Sequence, residues 1–416
     1  MPDRWAITNV HVVEVATGRL RRDSSVVIDG PDIVDVVGPP PPASVPALDG
    51  GAGYLAPGLI DGHVHFFFDG GDSPGLRYME ADDAERIRVA RHNARVGLEA
   101  GITTMRDCGA PAALIFDLRR DVEAGLVPGP HILCCGQPLT RPAGHCHFLG
   151  GEVATPEEVR RTIERQLREG ADFVKVMASG GGLTPGTYPD RAELSLELLR
   201  AATEVAHAQG VQIAAHCHAT EGIRRLIEAG VDMIEHVGFV GPAGYRYEEE
   251  VAVRLRDRGV VVSPTVYGGL RTARLYRRQG RFDNPNDVAA LERYEGRLVN
   301  TRHFHRLGLK ILGGSDCGGS ADTPFDVLVD ELLAYTEAGL SSAEALRTVT
   351  SEAAALMDLR RVGAIRPGYR ADLVLVSGNP LEDLNALRRP LKVFKAGRLV
   401  HERDALRPPP RRPRAP

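Results

Sequence analysis

Six side chains in this sequence are of types that bind divalent cations, and their spacing lets them act together: His63, His65, Lys175, His216, His236 and Asp316. His63 and His65 close the apolar run Leu59 to His65. Successive strand residues face opposite ways, so histidines separated by one residue share a face and can hold one cation. Lys175 sits inside Phe173-Val-Lys-Val-Met-Ala178. An ammonium in an apolar strand must snorkel, pair with an acid, or lose its proton through burial. A free amine can add CO₂ to give a carbamate, a carboxylate-like bridge between two cations. His216 closes Ile213-Ala-Ala-His, His236 closes Met233-Ile-Glu-His, and Asp316 closes Leu312-Gly-Gly-Ser-Asp. Taken singly, each reads more readily as a satisfied polar residue or, for Asp316, a loop N-cap than as a ligand. Asp61, just before His63, is placed to orient a ligand imidazole.

The elements that must position these groups follow from the periodicity. Eight apolar strand candidates, near Leu59–His65, Ile102–Arg106, His131–Cys135, Asp172–Ala178, Val211–His216, Met233–Val237, Val260–Thr265 and Lys310–Gly314, alternate with amphipathic helical stretches. That alternation argues for parallel βα units, and eight of them predict an α/β (β/α)₈ TIM barrel. Several helices stop at glycine, as at Gly101, Gly170, Gly210 and Gly230. The six candidate ligands then fall at the C-terminal strand ends, the face on which such barrels build active sites. Four imidazoles, a carbamate and a carboxylate suit two divalent cations with an open position. Outside the barrel, residues 5 to 38 and the segments Ala371–Val376 and Lys392–Val400 read as short strands. Neither set makes a robust sheet alone, so the two are expected to pair. The expected division is a composite β domain from 1–56 and 360–405, a barrel over 57–359, and a disordered tail over 406–416. A proline-rich linker spans Pro39 to Pro42 and Pro46, and one helix, Ser341–Leu359, is expected to lead into the C-terminal strands.

The phrases APGLIDGHVH, TTMRDCG, VKVMASGG, AAHCHA, MIEHVG and GGSD resemble the amidohydrolase superfamily, in its binuclear branch with a carbamylated lysine. They resemble most the group of imidazolonepropionase-like amidohydrolases and metal-dependent dipeptidases and carboxypeptidases acting on Xaa-Pro or other Xaa-Xaa substrates. The resemblance spans nearly the whole chain and implies a split β-sandwich beside the barrel. It implies two divalent cations, Zn²⁺ being the expected ion. His63 and His65 would bind the more buried cation, His216 and His236 the more exposed one, and carbamylated Lys175 would bridge them. Asp316 would contact the buried cation and shuttle the proton of a bridging hydroxide. Lys175 speaks against a true imidazolonepropionase, which lacks the bridging lysine. The implied reaction is hydrolysis of a C–N amide bond in a dipeptide or N-acyl amino acid. The same cations would serve a cyclic amide, lactone, carbamate or organophosphate ester. A non-catalytic ligand-binding relative is the reading from another class, and retention of all six ligand-type residues argues against it.

Substrate contacts are carried by the resemblance alone. His145, in Pro142-Ala-Gly-His-Cys-His-Phe148, matches a loop that touches the scissile carbonyl or a substrate carboxylate; its other reading is a structural loop histidine. His218 stands where peptidase-like members have Tyr or His as electrophile toward the carbonyl. Tyr267 either lines the pocket or packs, Arg141 is a candidate carboxylate partner, and Arg106 beside Asp107 is either that or a structural ion pair. Ser179–Gly186 lacks the GK[ST] of a phosphate-binding loop and suits a mobile substrate loop. The 416 residues carry a formal charge of −4, which gives no reason to expect nucleic acid or an acidic membrane as partner. The first residues show no secretory signal, and no apolar run is long enough to span a bilayer. The 6 cysteines include no CxxC pair and read as reduced thiols of a cytoplasmic protein. A homo-oligomer is expected from the family habit.

Overall fold

The computed structural model describes residues 2–38, 45–280 and 285–403. Its centre is built from parallel strands whose side chains are buried on both faces, which explains their continuous apolar runs. Leu59–Val64, Ile102–Asp107 and His131–Cys134 form a three-stranded parallel sheet. Val174–Met177, Ile213–Ala219, Met233–Gly241 and Val261–Ser263 run parallel in a second sheet, to which Gly244–Tyr245 adds a short antiparallel edge. Isolated parallel bridges link the rest: Leu139 to Val176, Val262 to Ile311 and Val64 to Cys317. Neither sheet closes on itself. The fold is mixed α/β, and among the described residues seven of the eight expected parallel strands form. The eighth, Lys310–Gly314, contributes one isolated bridge at Ile311 instead. The segment still bonds to both neighbouring strands, through Leu312 N to Val262 O on one side and Gly62 N to Gly313 O on the other, but the Gly313 N–H turns away to Thr348 O.

The helices between the strands start and stop where their end chemistry dictates. Pro156–Glu169 opens on a reciprocal Thr155–Glu158 capping box and closes on Gly170 at φ 110°. Asp82 and Ser195 cap Asp83–Glu99 and Leu196–Ala208 by accepting backbone N–H bonds. The helix expected over Ser341–Leu359 is broken into Ser342–Arg347 and Ser351–Leu356. Thr348 and Thr350 bond back to Ala345 O and Leu346 O, while the carbonyls of Thr348 and Val349 turn to accept from Gly313 N and Ile60 N. The helix yields there because those carbonyls receive donors from the first strand and the 313 segment.

Strands from the two ends of the chain lie in one seven-stranded sheet. Ala47–Pro57 is its hinge, pairing parallel with Arg4–Glu14 and antiparallel with Leu373–Val376. Arg19–Asp29 and Asp32–Val37 extend one side, and Lys392–Lys395 and Arg398–Glu402 the other. Trp5, Ile7, Val26, Ile28, Ile33, Leu55, Leu373 and Phe394 form its core. The linker expected at Pro39 to Pro42 and the tail over 406–416 lie outside the described residues. Among the described residues no helix is long and apolar enough to cross a membrane, and all six cysteines are free and buried.

Candidate active site

At the C-terminal ends of the strands, the side chains singled out above converge. His63 Nε2 and His65 Nε2 lie 3.2 Å apart, and Asp316 Oδ1 is 3.3 Å from the first and 3.5 Å from the second. Three ligands at the ~2.0–2.1 Å of Zn–N and Zn–O bonds in a tetrahedral shell would stand about 3.3–3.4 Å from one another. These donor atoms therefore already trace one face of a coordination tetrahedron. A second group, His216, His218 and His236, brings its ligand atoms within 4.8 Å of one another. His218, expected as an electrophile, is thus also within ligating reach. His63 and His236 bring the two groups together, with ring centroids 5.2 Å apart.

The backbone is bent to aim these groups. His236, Thr265 and Asp316 have φ of 65°, 49° and 58°, in the left-handed region that costs non-glycine residues about 1–3 kcal/mol each. Asp316 N donates to His63 O, which ties the last ligand to the first strand. His236 Nδ1 stands 2.6 Å from Thr265 Oγ1. The Thr265 hydroxyl gives its one proton to Pro264 O and accepts from Arg297 Nη1. Nδ1 of His236 must then be the donor, which leaves Nε2 with the lone pair a cation needs.

Burial holds His216 down to about 3, with the Lys175 charge adding to it. Burial, with the neighbouring His216 ring, also holds His145, His218 and His236 well below the usual range. Neutral imidazoles are the form that binds metal. Burial pushes the Asp316 carboxyl up, but hydrogen bonds from His63 and His65 more than reverse this and leave it well below the carboxylate range.

Lys175 is buried and lines the cavity, but its neighbour was not foreseen. Its ammonium is paired with Glu235, the residue just before His236. Glu235 Oε1 is also 3.2 Å from Arg106 Nη2 and 3.4 Å from His63 Nδ1, and all four side chains are at most 2% exposed. Burial alone would lower the Lys175 pKa, as expected; the Glu235 charge outweighs it, and the net direction is upward. Arg106 is accordingly a structural ion-pair partner, and no part of the cavity wall. Asp61 does not orient an imidazole. It accepts from the backbone of His63 and from Ser315 N and Oγ, pinning the turn before Asp316, and burial pushes it up to about 6.

The site opens into a cavity of about 700 Å³, within the usual range for small-molecule sites. Its apolar wall includes Leu76, Leu183, Pro185 and Met177, and its cationic wall includes Arg271, Arg293 and Arg297. His145 lines it, with its ring centroid 4.6 Å from that of His216 and Nδ1 3.3 Å from Thr187 Oγ1. The Ser179–Gly186 loop approaches so closely that a Cβ on Gly181 would sit 2.5 Å from the His145 ring, which is why glycine stands there. Tyr267 does not line the cavity. It lies in the first turn of helix Val266–Arg278, 8% exposed, and its hydroxyl accepts from Arg271. Arg141 is also outside the wall, because Glu193 pairs with it at 2.9 Å and Pro142 O accepts its other arm. Sequence reasoning missed Glu235, Thr265 and Arg297; only Glu235, an acid inside an apolar strand like Lys175, carried a signal that could have been read.

The sequence profile of the amidohydrolase family, a class of hydrolase, matches residues 54–400, and this chain belongs to that family. It is 27% identical to the ochratoxinase of Aspergillus niger over 387 residues, which cover 83% of this chain and 75% of that one. It is 25% identical to the imidazolonepropionase of Cutibacterium acnes over 415 residues, 91% of each. Among solved structures, a Xaa-Pro dipeptidase with methionine bound in its active site is similar at TM-score 0.85 and 26% identity, covering 95% of this chain and 99% of that one. The resemblance to the amidohydrolases read from the motifs is therefore met.

Proposed function

We propose that this chain hydrolyses the C–N amide bond of a dipeptide or N-acyl amino acid, using two divalent cations, most simply Zn²⁺. The observation that carries the reading is the pair of ligand groups, His63/His65/Asp316 and His216/His236 with His218 beside them, opening into one cavity with Lys175 in its wall. The parallel strands and their bridges are read as one closed (β/α)₈ barrel over 57–359, with the terminal strands of 1–56 and 360–405 as a composite β-sandwich. Lys175 is read as the carbamylated bridge; to accept CO₂ it must leave Glu235 and lose its proton.

Bound cations supply Lewis acidity and a water acidic enough to be hydroxide near pH 7. Asp316, unprotonated at neutral pH, takes the proton of the attacking water and delivers it to the leaving amine. His145 and His218, both neutral and buried in the cavity wall, donate to the oxygen on which charge develops. The six buried free thiols agree with a cytoplasmic enzyme, and a homo-oligomer is the expected assembly. The test is Asp316→Asn. Asparagine tolerates the left-handed backbone at this position and keeps an oxygen ligand, so metal content should largely survive. Turnover of a dipeptide and N-acyl amino acid panel should fall by about 10³ or more, within the range of acid–base catalysis. Activity within tenfold of wild type would overturn the assignment.

A further inference from the structure

Two arginines are almost fully buried near the site, and the protein treats them differently. Arg106, 2% exposed, is neutralised by Glu235. Arg297, 5% exposed on helix Pro285–Leu307, has no carboxylate within 4.0 Å among the described residues. Its Nη1 donates to two neutral oxygens, Thr265 O at 2.7 Å and Thr265 Oγ1 at 3.2 Å, and its Nε has no hydrogen-bond partner. Burying a guanidinium without a counter-ion costs several kcal/mol, and Arg does not shed its proton to escape that cost. Yet the side chain lines the cavity, where an arriving anion would meet its remaining donors.

We propose that Arg297 is the receptor for a free carboxylate on the amine half of the substrate, and so makes the enzyme selective for acids over their carboxamides. This rests on the amide-hydrolase reading above. The placement suits the task. Arg297 and His236 share the Thr265 hydroxyl, so the guanidinium is two hydrogen bonds from a candidate metal ligand. In an N-acyl amino acid the carboxylate carbon is only two bonds beyond the scissile nitrogen, a comparably short reach. Gly269 and Tyr294 hold the Arg297 stem in place: a Cβ on Gly269 would be 3.2 Å from Arg297 Cδ and 3.2 Å from the Tyr294 ring. A planar, fixed fork of donors is the group that recognises a carboxylate bidentately. Arg271 and Arg293 extend the same cationic wall, while Leu76, Leu183 and Pro185 face it with apolar surface for the acyl half.

The experiment uses the zinc-loaded full chain and matched pairs of N-benzoyl and N-acetyl amino acids with their C-terminal carboxamides. The readout is the ratio of kcat/KM for acid over carboxamide, in which any general loss of activity cancels. Wild type should favour the acid by about 100-fold, the order expected for a buried charged contact. Arg297→Gln should bring the ratio near one, and Arg297→Lys, which keeps the charge but loses the fork, should fall between. A wild-type ratio near one, or an unchanged ratio in Arg297→Gln, overturns the proposal. A purely structural role for Arg297, as anchor of Thr265, would lower both rates and leave the ratio alone. Calorimetric titration with the same pairs decides the question even if no amide is cleaved. Acid binding that exceeds carboxamide binding in wild type and is lost in Arg297→Gln supports Arg297 as receptor, whereas absent turnover counts against the hydrolase reading. Equal binding of acid and carboxamide overturns the receptor.

Discussion

Replacing Glu235 with glutamine keeps the volume and most of the hydrogen-bonding shape of the side chain while removing its charge. Lys175 and Arg106, the latter at 3.2 Å, lose their counter-ion at once, and His63, at 3.4 Å, is left with Asp316 alone. Lys175 and His63 can shed a proton, but Arg106 stays charged, 2% exposed and facing a neutral amide. Breaking a buried ion pair from one side costs about 3–5 kcal/mol, and the Arg106 charge should account for most of it. Urea unfolding of metal-free protein, followed by far-ultraviolet circular dichroism, reads this as a lower midpoint. For a denaturant slope somewhat above the ~3 kcal/mol per molar of small domains, the fall is about 1 M. The decisive comparison is the double variant Glu235→Gln/Arg106→Met, in which the stranded charge is gone. It should recover at least ~1.5 kcal/mol relative to Glu235→Gln alone, a coupling typical of direct partners. A loss under ~1 kcal/mol in the single variant, or no recovery in the double, would refute the account of Glu235 as the charge that holds this cluster together.

Lys175→Ala should bind less zinc than wild type by elemental analysis, with partial restoration of metal and activity by formate or acetate; full metal content without a supplement would remove the bridging role. Glu331, fully buried, is pushed up from 4.5 to about 7 by burial, against the N–H groups of Tyr267 and Val266. The folded state therefore holds this proton more tightly than the unfolded chain, and stability is lost as pH rises from 4.5 to 7, by up to ~3 kcal/mol. Glu331→Gln should lack that component, so unfolding midpoints of the two proteins at pH 5 and pH 8 should differ in slope; parallel profiles would show that Glu331 keeps its ordinary affinity.

What was legible in the sequence was whatever repeats locally. The HxH pair, the lysine in an apolar run and the strand-end histidines each announce themselves within a few residues, and the structure brings them together. The unread part depends on partners far apart in sequence. Glu235 stands 60 residues from Lys175 and 129 from Arg106, so nothing near it says which charge it meets. Arg297 lies in a helix whose local pattern gives no hint that one of its arginines is buried over the site. Of the two readings of Tyr267, the packed one holds because the strand ends at Ser263 and the chain turns through Thr265 into a helix. The broken helix at Thr348–Thr350 was hidden likewise, since the donors that open it, Gly313 N and Ile60 N, belong to distant segments.

The hinge strand Ala47–Pro57 has a consequence for synthesis. Its parallel partner, Arg4–Glu14, has already left the ribosome when it emerges, but its antiparallel partner, Leu373–Val376, follows more than 300 residues later. At ~5–20 residues per second, tens of seconds pass in which one edge of this strand has no ladder to join. An unpaired edge is a template for another nascent chain. Gly50, Gly51 and Gly53 weaken pairing along the first half of that strand, which leaves Tyr54–Pro57, the stretch that Leu373–Val376 later covers, as the open edge. Slow translation or early release of the chain should therefore expose this protein to aggregation through its N-terminal sheet, long before any fault in the histidine site could matter.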